Sequence, residues 1–141
     1  MKIFKNSLIY ITFSIIIVIF SCSEDENSNN CVEHSVSECN EDPTKVNIRI
    51  SNISNYNYCN VVSKNTNFGI IEKEESTCYK SFESAYRYAF VELLIDGNTH
   101  TLQPIDYVGE TLLEPGYYTY QINANDSQEQ YGKLSLTLIE D

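Results

Sequence analysis

The chain has 141 residues, with nine Lys and Arg against twenty Asp and Glu, which gives a formal net charge of −11 at pH 7. Hydrophobic residues make up 42% of the sequence. This balance is typical of one small folded domain and excludes a wholly disordered chain. The negative charge would repel a phosphate backbone, so no nucleic-acid partner is expected.

The first residues have the pattern of a secretory signal peptide. Lys2 and Lys5 precede an apolar run over residues 8–20, which is shorter than the roughly 20 residues that span a bilayer. The run ends in Ile19-Phe20-Ser21-Cys22, which resembles a bacterial lipobox. We therefore predict a lipoprotein signal peptide over 1–21 and a lipid on Cys22. An uncleaved membrane anchor, or plain secretion with Cys22 in a disulfide, is the alternative.

An acidic tract, Ser23-Glu24-Asp25-Glu26, directly follows this cysteine. A serine and acidic residues at that place resemble the export signal that takes lipoproteins of the Bacteroidota to the outer face of the outer membrane. An ordinary solvated linker is the alternative, because such a tract cannot bury itself and stays extended. We predict a polar tether over residues 22–44 and an outer-membrane, lipid-anchored protein that faces the cell exterior.

The other cysteines are Cys31, Cys39, Cys59 and Cys78. An even number in a small exported domain indicates two disulfides. Three pairings are possible, and we favour Cys31 with Cys39, which would lie within the tether, and Cys59 with Cys78. A zinc site formed by Cys31, His34 and Cys39 is the alternative, but a matching second pair of ligands is missing. No metal is therefore predicted.

From Lys45 onward the sequence has the period of β-strands. Val46, Ile48 and Ile50 alternate with polar residues, which predicts a half-buried strand. Asp96-Gly97 is a strong hairpin turn, and a turn is also expected over residues 63–67. The further predicted strands are 58–62, 68–71, 77–83, 86–96, 99–103, 117–124 and 133–139.

These elements predict an all-β domain over residues 45–141. Only residues 81–91 place apolar residues at a helical spacing. About seven or eight short strands with turns between them favour an antiparallel two-sheet β-sandwich, immunoglobulin-like or prealbumin-like.

One segment, Leu113-Glu114-Pro115-Gly116-Tyr117-Tyr118, starts the strand predicted at residue 117. It is similar to the Leu-x-Pro-Gly-x-Tyr sequence that precedes a late strand in prealbumin-like and immunoglobulin-like sandwiches. Pro115 and Gly116 supply a tight turn. The resemblance implies a fold and not an activity.

The domain as a whole resembles small uncharacterised lipoproteins of the Bacteroidota. The residues that carry this resemblance are Phe68-Gly69, Ala85-Tyr86-Arg87-Tyr88, Gln103-Pro104-Ile105-Asp106-Tyr107-Val108-Gly109-Glu110 and Pro115-Gly116. The family brings no activity and no functional residues with it.

No catalytic signature is present in the sequence. A haem site would need two converging histidines, whereas His34 and His100 are expected to be solvated. Asp106 and Glu110 flank a predicted loop and form a conceivable carboxylate pair. Neither a Gly-x-Ser-x-Gly sequence nor a phosphate-binding glycine loop occurs. A calcium site is an alternative, since acidic oxygen ligands are plentiful, but an Asp-x-Asp-x-Asp loop is missing. We predict a non-enzyme without a cofactor.

Tyrosines are numerous, and some of them must lie on an outer face because so thin a core cannot hold them all. Outward rings would either bind sugars or proteins or pack across strands. The tyrosines concerned are Tyr56, Tyr58, Tyr86, Tyr88, Tyr117 and Tyr131. The leading hypothesis is an interaction or envelope-structural module. Capture of a glycan or nutrient beside an outer-membrane transporter, and inhibition of a protease or other enzyme, are the alternatives.

Overall fold

The structure is a computed structural model that describes Cys31 and residues 35–141. The predicted signal peptide, the lipidation site Cys22, the export signal Ser23 to Glu26 and His34 lie outside the described residues. The strands are β1 (Val46–Asn52), β2 (Tyr58–Ser63), β3 (Thr66–Ile71), β4 (Lys80–Phe82), β5 (Val91–Ile95), β6 (Asn98–Leu102), β7 (Gly116–Ala124) and β8 (Leu134–Glu140).

These strands form two four-stranded sheets, in the orders β4-β1-β7-β8 and β3-β2-β5-β6. The described residues contain no helix. The prediction of an all-β, two-sheet sandwich is therefore confirmed. Within the same part of the chain, no helix is long and apolar enough to cross a membrane.

One strand pair differs from the predicted antiparallel arrangement. β1 runs parallel to β7 from Val46↔Gly116 to Asn52↔Ile122, whereas the other pairs in both sheets are antiparallel. A parallel pair needs a long crossover connection. All of the second sheet lies between β1 and β7 in the sequence, so the connection is long enough.

The core is built from the alternating positions that the sequence singled out. Val46, Ile48 and Ile50 in β1 are almost fully buried, and so are Tyr118, Tyr120 and Ile122 on one face of β7. Burial of each such side chain contributes roughly 1.5 to 3 kcal/mol relative to an exposed one. Leu134, Leu136 and Leu138 of β8 face the same core, the last two only partly buried.

Two tight hairpins join strands of the second sheet. Asp96 and Gly97 both have positive φ (50° and 77°), and they connect β5 to β6 as the sequence predicts. Lys64 and Asn65 also have positive φ (51° and 58°), between β2 and β3. Positive φ at both central residues is typical of the type I′ turn, whose twist matches that of the flanking strands.

The predicted fifth strand, 86–96, is wrong in its first part. β5 begins only at Val91, and residues 86–90 are an irregular connection. Ala85 and Ala89 are buried but Arg87 between them is exposed, which breaks the alternation of a strand. The Tyr86 carbonyl accepts a hydrogen bond from the Tyr120 hydroxyl at 2.6 Å. The apolar residues of this stretch therefore anchor a loop.

Within the predicted fourth strand, 77–83, only β4 (Lys80–Phe82) forms a strand. At the start of the predicted strand the Thr77 hydroxyl, instead of a backbone carbonyl, accepts the Ile50 N–H at 3.0 Å. The Thr77 N–H donates to the Ile50 carbonyl at 2.9 Å. A side chain thus replaces part of the backbone ladder, and regular pairing starts only at Lys80.

The turn before β7 has the geometry known as a tyrosine corner. The Tyr118 hydroxyl donates to the Glu114 carbonyl at 3.0 Å, four residues earlier in the chain. In immunoglobulin-like sandwiches a tyrosine near the start of a strand bonds back to upstream backbone in this way. The Tyr118 ring packs back over Gly116 in this corner.

Residues 35–40, which we call the N-terminal clasp, run along one side of the sandwich. The Ser37 N–H donates to the Asn67 carbonyl of β3 at 3.1 Å, and the Ser81 N–H of β4 donates to the Asn40 carbonyl at 3.0 Å. The buried Lys80 ammonium donates to the Ser37 carbonyl and lies 5.3 Å from the Phe68 ring centroid. The clasp therefore contacts one outermost strand of each sheet, β3 in one and β4 in the other.

Two disulfides are present, but the favoured pairing is wrong. Cys31 pairs with Cys59 and Cys39 pairs with Cys78, with Cα separations of 5.3 and 5.8 Å. There is consequently no local disulfide within the predicted tether. The bridges instead fasten the clasp region to β2 and to the segment before β4. Closing the short loop between Cys31 and Cys39 would cost the least chain entropy. The clasp, however, runs along the side of the sandwich and keeps these two cysteines apart.

Peptide mapping under non-reducing conditions should recover the Cys31–Cys59 and Cys39–Cys78 peptides. A Cys39→Ser, Cys78→Ser double variant should lose about 3 to 4 kcal/mol of unfolding free energy in chemical denaturation, because the bridge closes a long loop in the unfolded chain. A peptide linking Cys31 to Cys39 would contradict the pairing, and so would an unchanged denaturation midpoint.

Candidate functional site

Two connections of the sandwich contact each other: residues 83–90 between β4 and β5, and residues 103–115 between β6 and β7. The Leu113 N–H donates to the Ala85 carbonyl at 2.8 Å. The rings of Tyr86 and Tyr107 stack with centroids 4.8 Å apart and planes tilted by 31°. The two loops therefore form one continuous surface.

This surface is apolar and open to solvent. Ile105 is fully exposed, Val108 is 88% exposed and Tyr88 is 50% exposed. Isolated exposed apolar residues are common on proteins, whereas a contiguous group of large ones marks a site of interaction. We call the large apolar side chains that these two contacting loops expose, fully or in part, the loop patch. Its members are Tyr86, Tyr88, Phe90, Ile105, Tyr107, Val108 and Leu112.

Local backbone bonds hold the apolar side chains outward. The Asp106 carboxylate accepts the Val108 N–H at 3.1 Å, and the Glu110 N–H donates to the Tyr107 carbonyl at 3.2 Å. Gly109 between them has a φ of +81°, which favours glycine because it has no Cβ. These bonds form a tight turn that presents Ile105 and Val108 to solvent.

The 83–90 loop is held in place by a hydrogen bond from a buried tyrosine, Tyr120. Burial raises the pKa of Tyr120 well above its usual value, and the neighbouring Tyr107 raises it further. The hydroxyl is therefore protonated at neutral pH, and it donates to the Tyr86 carbonyl at 2.6 Å. Tyr120 therefore holds the aromatic side of the loop patch in place as a hydrogen-bond donor.

The border of the loop patch is acidic. Asp106, Glu110 and Glu114 are all exposed along the 103–115 loop, and Arg87 is the exposed base on the other loop. An apolar centre with a charged rim is the usual composition of a protein interface. The charge favours partners with basic residues over acidic ones.

The sequence-predicted carboxylate pair lies in this loop without forming a site of its own. The Asp106 carboxylate bonds the backbone of its own turn, and Glu110, four residues later, is exposed and bonds this turn through its backbone N–H. Neither carboxylate is buried in a cleft where a substrate would be enclosed.

The expectation of a solvated His100 is wrong. His100 lies in β6 and is only 2% exposed, and its Nδ1 is 3.0 Å from the Glu129 carbonyl oxygen. This contact holds the 127–131 segment against β6. The ring is therefore occupied by a structural hydrogen bond.

The cysteine and acidic residues do not gather as metal ligands in the part of the chain that is described. No group of three or more His, Cys, Asp and Glu side chains has suitable positions within those residues. Cys31 and Cys39, the sulfur atoms of the zinc alternative, each belong to a disulfide.

The tyrosines divide between the core and the surface, as expected from their number. Tyr58 is fully buried, its pKa is raised to about 12 by burial, and its hydroxyl donates to the Ile122 carbonyl at 3.2 Å. Tyr88 and Tyr131 are exposed. Tyr117 is half-buried and packs edge-on against Tyr79, with centroids 5.1 Å apart. Cross-strand packing and outward presentation therefore both occur.

A groove of about 320 Å³ lies between the clasp and β3. Its walls include Val36, Phe68, Thr77 and the Cys39–Cys78 bridge, and Lys80 is at its base. The Lys80 ammonium already donates to the carbonyls of Ser37 and Glu38. Its hydrogen-bonding capacity is thus directed to the clasp, and no ligand has to be invoked to explain this buried charge.

A polar cluster covers the outer face of the first sheet. Arg49 donates from Nε to the Thr119 hydroxyl at 2.8 Å and from Nη2 to Asp141 at 3.1 Å. Tyr79 and Thr119 also donate to the Asp141 carboxylate, at 2.8 and 2.6 Å. We call Arg49, Tyr79, Thr119 and Asp141 the outer-face cluster. It joins the end of β8 to β1 and β7.

Comparison with known proteins adds no relative: no protein-family model matches the sequence, and no curated protein matches it significantly.

The outer-face cluster gives a prediction about pH. Burial alone would raise the pKa of Asp141, but the hydrogen bonds from Thr119 and Tyr79 and the charge of Arg49 lower it below its ordinary value of 3.8. The ionised form is thus favoured by folding, and its contribution is complete above pH 3.8 and disappears as the pH falls through the folded pKa.

We expect Asp141→Asn to cost about 1 kcal/mol of unfolding free energy at pH 7, because the partly exposed carboxylate loses its charge-assisted bonds. Urea denaturation of both proteins in a pH series from 7 downward should show the full difference at pH 7 and a progressive loss of it as the pH falls below 3.8. A difference that does not depend on pH would contradict the electrostatic origin.

Proposed function

We propose that this protein is a lipid-anchored protein of the outer membrane that works as a non-enzymatic interaction module on the cell exterior. The support for the anchor is the signal-peptide pattern, the lipobox-like Cys22 and the acidic Ser23 to Glu26 tract. The proposal includes the resemblance to small lipoproteins of the Bacteroidota. The observation that carries the binding role is the exposed loop patch.

Exposure of large aliphatic side chains at the tip of a turn is unfavourable for a protein that works alone. Ile105 and Val108 together expose almost all of their surface, and covering an exposed aliphatic side chain with a partner is worth roughly 1.5 to 3 kcal/mol. The turn that presents them is fixed by its own backbone bonds. Binding would therefore order little extra chain, which lowers its entropic cost.

The partner that fits best is a protein surface with an apolar pocket beside basic residues. Ile105 and Val108 supply apolar anchors, while Asp106 and Glu110 supply negative charge at the same turn. The net charge of −11 acts in the same direction at longer range. Complementary charge of this kind increases the association rate and excludes acidic partners.

Inhibition of a protease is the second candidate, and the projecting shape of the 103–115 loop is what favours it. An inhibitory loop must be held rigid and must offer one dominant side chain to a pocket. Ile105 is fully exposed at such a position, and Leu113 ties the loop to Ala85. A matched loop variant separates the two roles, because only inhibition would change the activity of an added protease.

The anchor can be tested by mass spectrometry of the protein taken from its own membranes. The N-terminal peptide should begin at Cys22 and carry fatty acids, and Cys22→Ser should release the protein from the membrane fraction. Several acyl chains on one residue anchor a protein almost irreversibly, at about 0.8 kcal/mol for each buried methylene. An intact Met1 or an unmodified Cys22 would disprove the anchor.

Sidedness needs a separate variant. Replacement of Glu24, Asp25 and Glu26 by Ala should leave the lipid on Cys22 and remove the protein from the reach of protease added to whole cells. If the variant is digested as fast as the unchanged protein, the acidic tract is only a linker.

The binding role can be tested with an Ile105→Asp, Val108→Asp variant. Capture of partners from the cell surface by the immobilised protein should fall by about tenfold or more, because two apolar anchors become charged. The unfolding temperature should not change, since neither side chain packs in the core. Ile53→Asp is the matched control, because Ile53 is an exposed isoleucine on another loop.

If the control and the loop-patch variant reduce capture equally, the patch is not the binding surface.

A further inference from the structure

The outermost strands of the two sheets differ in whether another segment of the chain bonds to their outer edge. An exposed strand edge presents unpaired N–H and carbonyl groups that invite another strand, and proteins commonly block such edges. Here β3, β4 and β6 are each met by another segment. β8 lies near β6, but among the strands that the structure describes it is the outermost strand whose outer backbone groups bond to no other segment.

The blocked edges have identifiable blocking bonds. The clasp meets β3 through Ser37 and meets β4 through Asn40. On the other side, the Thr101 N–H of β6 donates to the Gln130 carbonyl at 2.8 Å, and Thr101 forms an isolated bridge with Tyr131. Segments that form no regular strand therefore cover these edges.

The free groups of β8 follow from its register with β7. The Asn125 N–H donates to the Lys133 carbonyl and the Asp141 N–H donates to the Tyr117 carbonyl, both at 3.0 Å. Hydrogen-bonded positions alternate along an antiparallel pair, so Ser135, Thr137 and Ile139 bond to β7. The N–H and carbonyl groups that point away from β7 belong to Leu134, Leu136, Leu138 and Glu140.

No other described residue bonds to those outward groups. The pairing of β8 with β7 is continuous from Tyr118↔Glu140 to Ala124↔Leu134, without a bulge. The strand, Leu-Ser-Leu-Thr-Leu-Ile-Glu, contains no Lys and no Pro. Its one charged residue, Glu140, is at the end of the strand, so the central part of this edge lacks the bulge, Lys and Pro that commonly keep an edge from pairing.

We propose that β8 pairs antiparallel with β8 of a second copy of this chain, which makes one continuous sheet across a two-fold axis. The register that uses every outward group sets Leu134 opposite Glu140 and Leu136 opposite Leu138, and it places Thr137 opposite itself on the axis. About eight backbone hydrogen bonds would form in this register.

A second copy fits this edge for two reasons. No like charges oppose each other in this register, since Glu140 faces Leu134 and Asp141 faces Lys133, which removes the usual penalty for pairing of like charges. In addition, the partly buried Leu136 and Leu138 of one copy would lie beside Leu138 and Leu136 of the other. The apolar layers of the two copies would therefore join. An isologous contact of this type is closed and does not grow into a fibre.

The test uses the full-length chain purified in detergent, followed by sedimentation velocity over a range of concentrations. The unchanged protein should dimerise reversibly, and Thr137→Lys should weaken dimerisation by about tenfold because it sets two like charges against each other at the axis. Thr99→Lys is the matched control, since Thr99 is an exposed threonine on the blocked β6 side. It should dimerise like the unchanged protein.

A cross-link tests the register independently of any loss of folding. Thr137 pairs with itself at a position without hydrogen bonds, where Cα atoms of antiparallel strands are about 4.5 Å apart, which is within the range of a disulfide. Thr137→Cys should therefore give a dimer joined through residue 137 under mild oxidation, and Thr99→Cys should not.

A protein that stays monomeric at every concentration would overturn the proposal. A dimer that Thr137→Lys leaves intact would also overturn it, and so would equal cross-linking of the two cysteine variants.

Discussion

The clasp bonds to one outermost strand of each sheet, β3 and β4. The arrangement of the sandwich on the side of these two strands depends on this contact. Asn40 pairs with β4 and Ser37 with β3, so a single short segment covers two edges that would otherwise be open. The buried Lys80 ammonium faces the clasp carbonyls and the Phe68 ring. Such a buried charge is tolerated only because its donors are satisfied.

The disulfides make this contact durable. They connect residues 31 and 39, on either side of most of the clasp, to Cys59 and Cys78. The loop closed by one bridge, residues 31–59, overlaps the loop closed by the other, residues 39–78. Each bridge therefore restricts the unfolded chain over residues that the other does not enclose. In a chain-entropy view both lower the entropy of the unfolded state, which matters in a domain with a small core.

The local pattern of the sequence predicted most strands because burial on one face imposes a period of two. β1 and β7 follow this rule closely, and the Asp96-Gly97 turn fixes the β5–β6 register. The start of β5 was missed because Ala85 and Ala89 are buried as loop anchors, which alternation cannot describe. The parallel β1–β7 pair and the disulfide pairing were missed because they depend on how distant segments meet.

The candidate site was only partly visible in the sequence. The 103–110 segment drew attention through Asp106 and Glu110, which are the residue types of catalysis, and these carboxylates turned out to border the surface. The more informative feature was Ile105 and Val108 beside a glycine in a segment without strand periodicity. Their exposure depends on the turn geometry and on the stacking of Tyr86 with Tyr107, which are contacts between loops far apart in sequence.

The proposed pairing of β8 and the proposed lipid anchor do not compete, because they use opposite sides of the sandwich. β3 and β4 lie together at the clasp side, and β6 and β8 lie at the opposite side. The predicted tether, residues 22–44, includes the clasp, and Cys31 within it is bonded to Cys59 of β2. Within the described residues the chain satisfies almost every buried polar side chain, with the Thr101 hydroxyl as the exception. The outward backbone groups of β8 have no partner among the same residues, and the proposed pairing with a second copy would supply one.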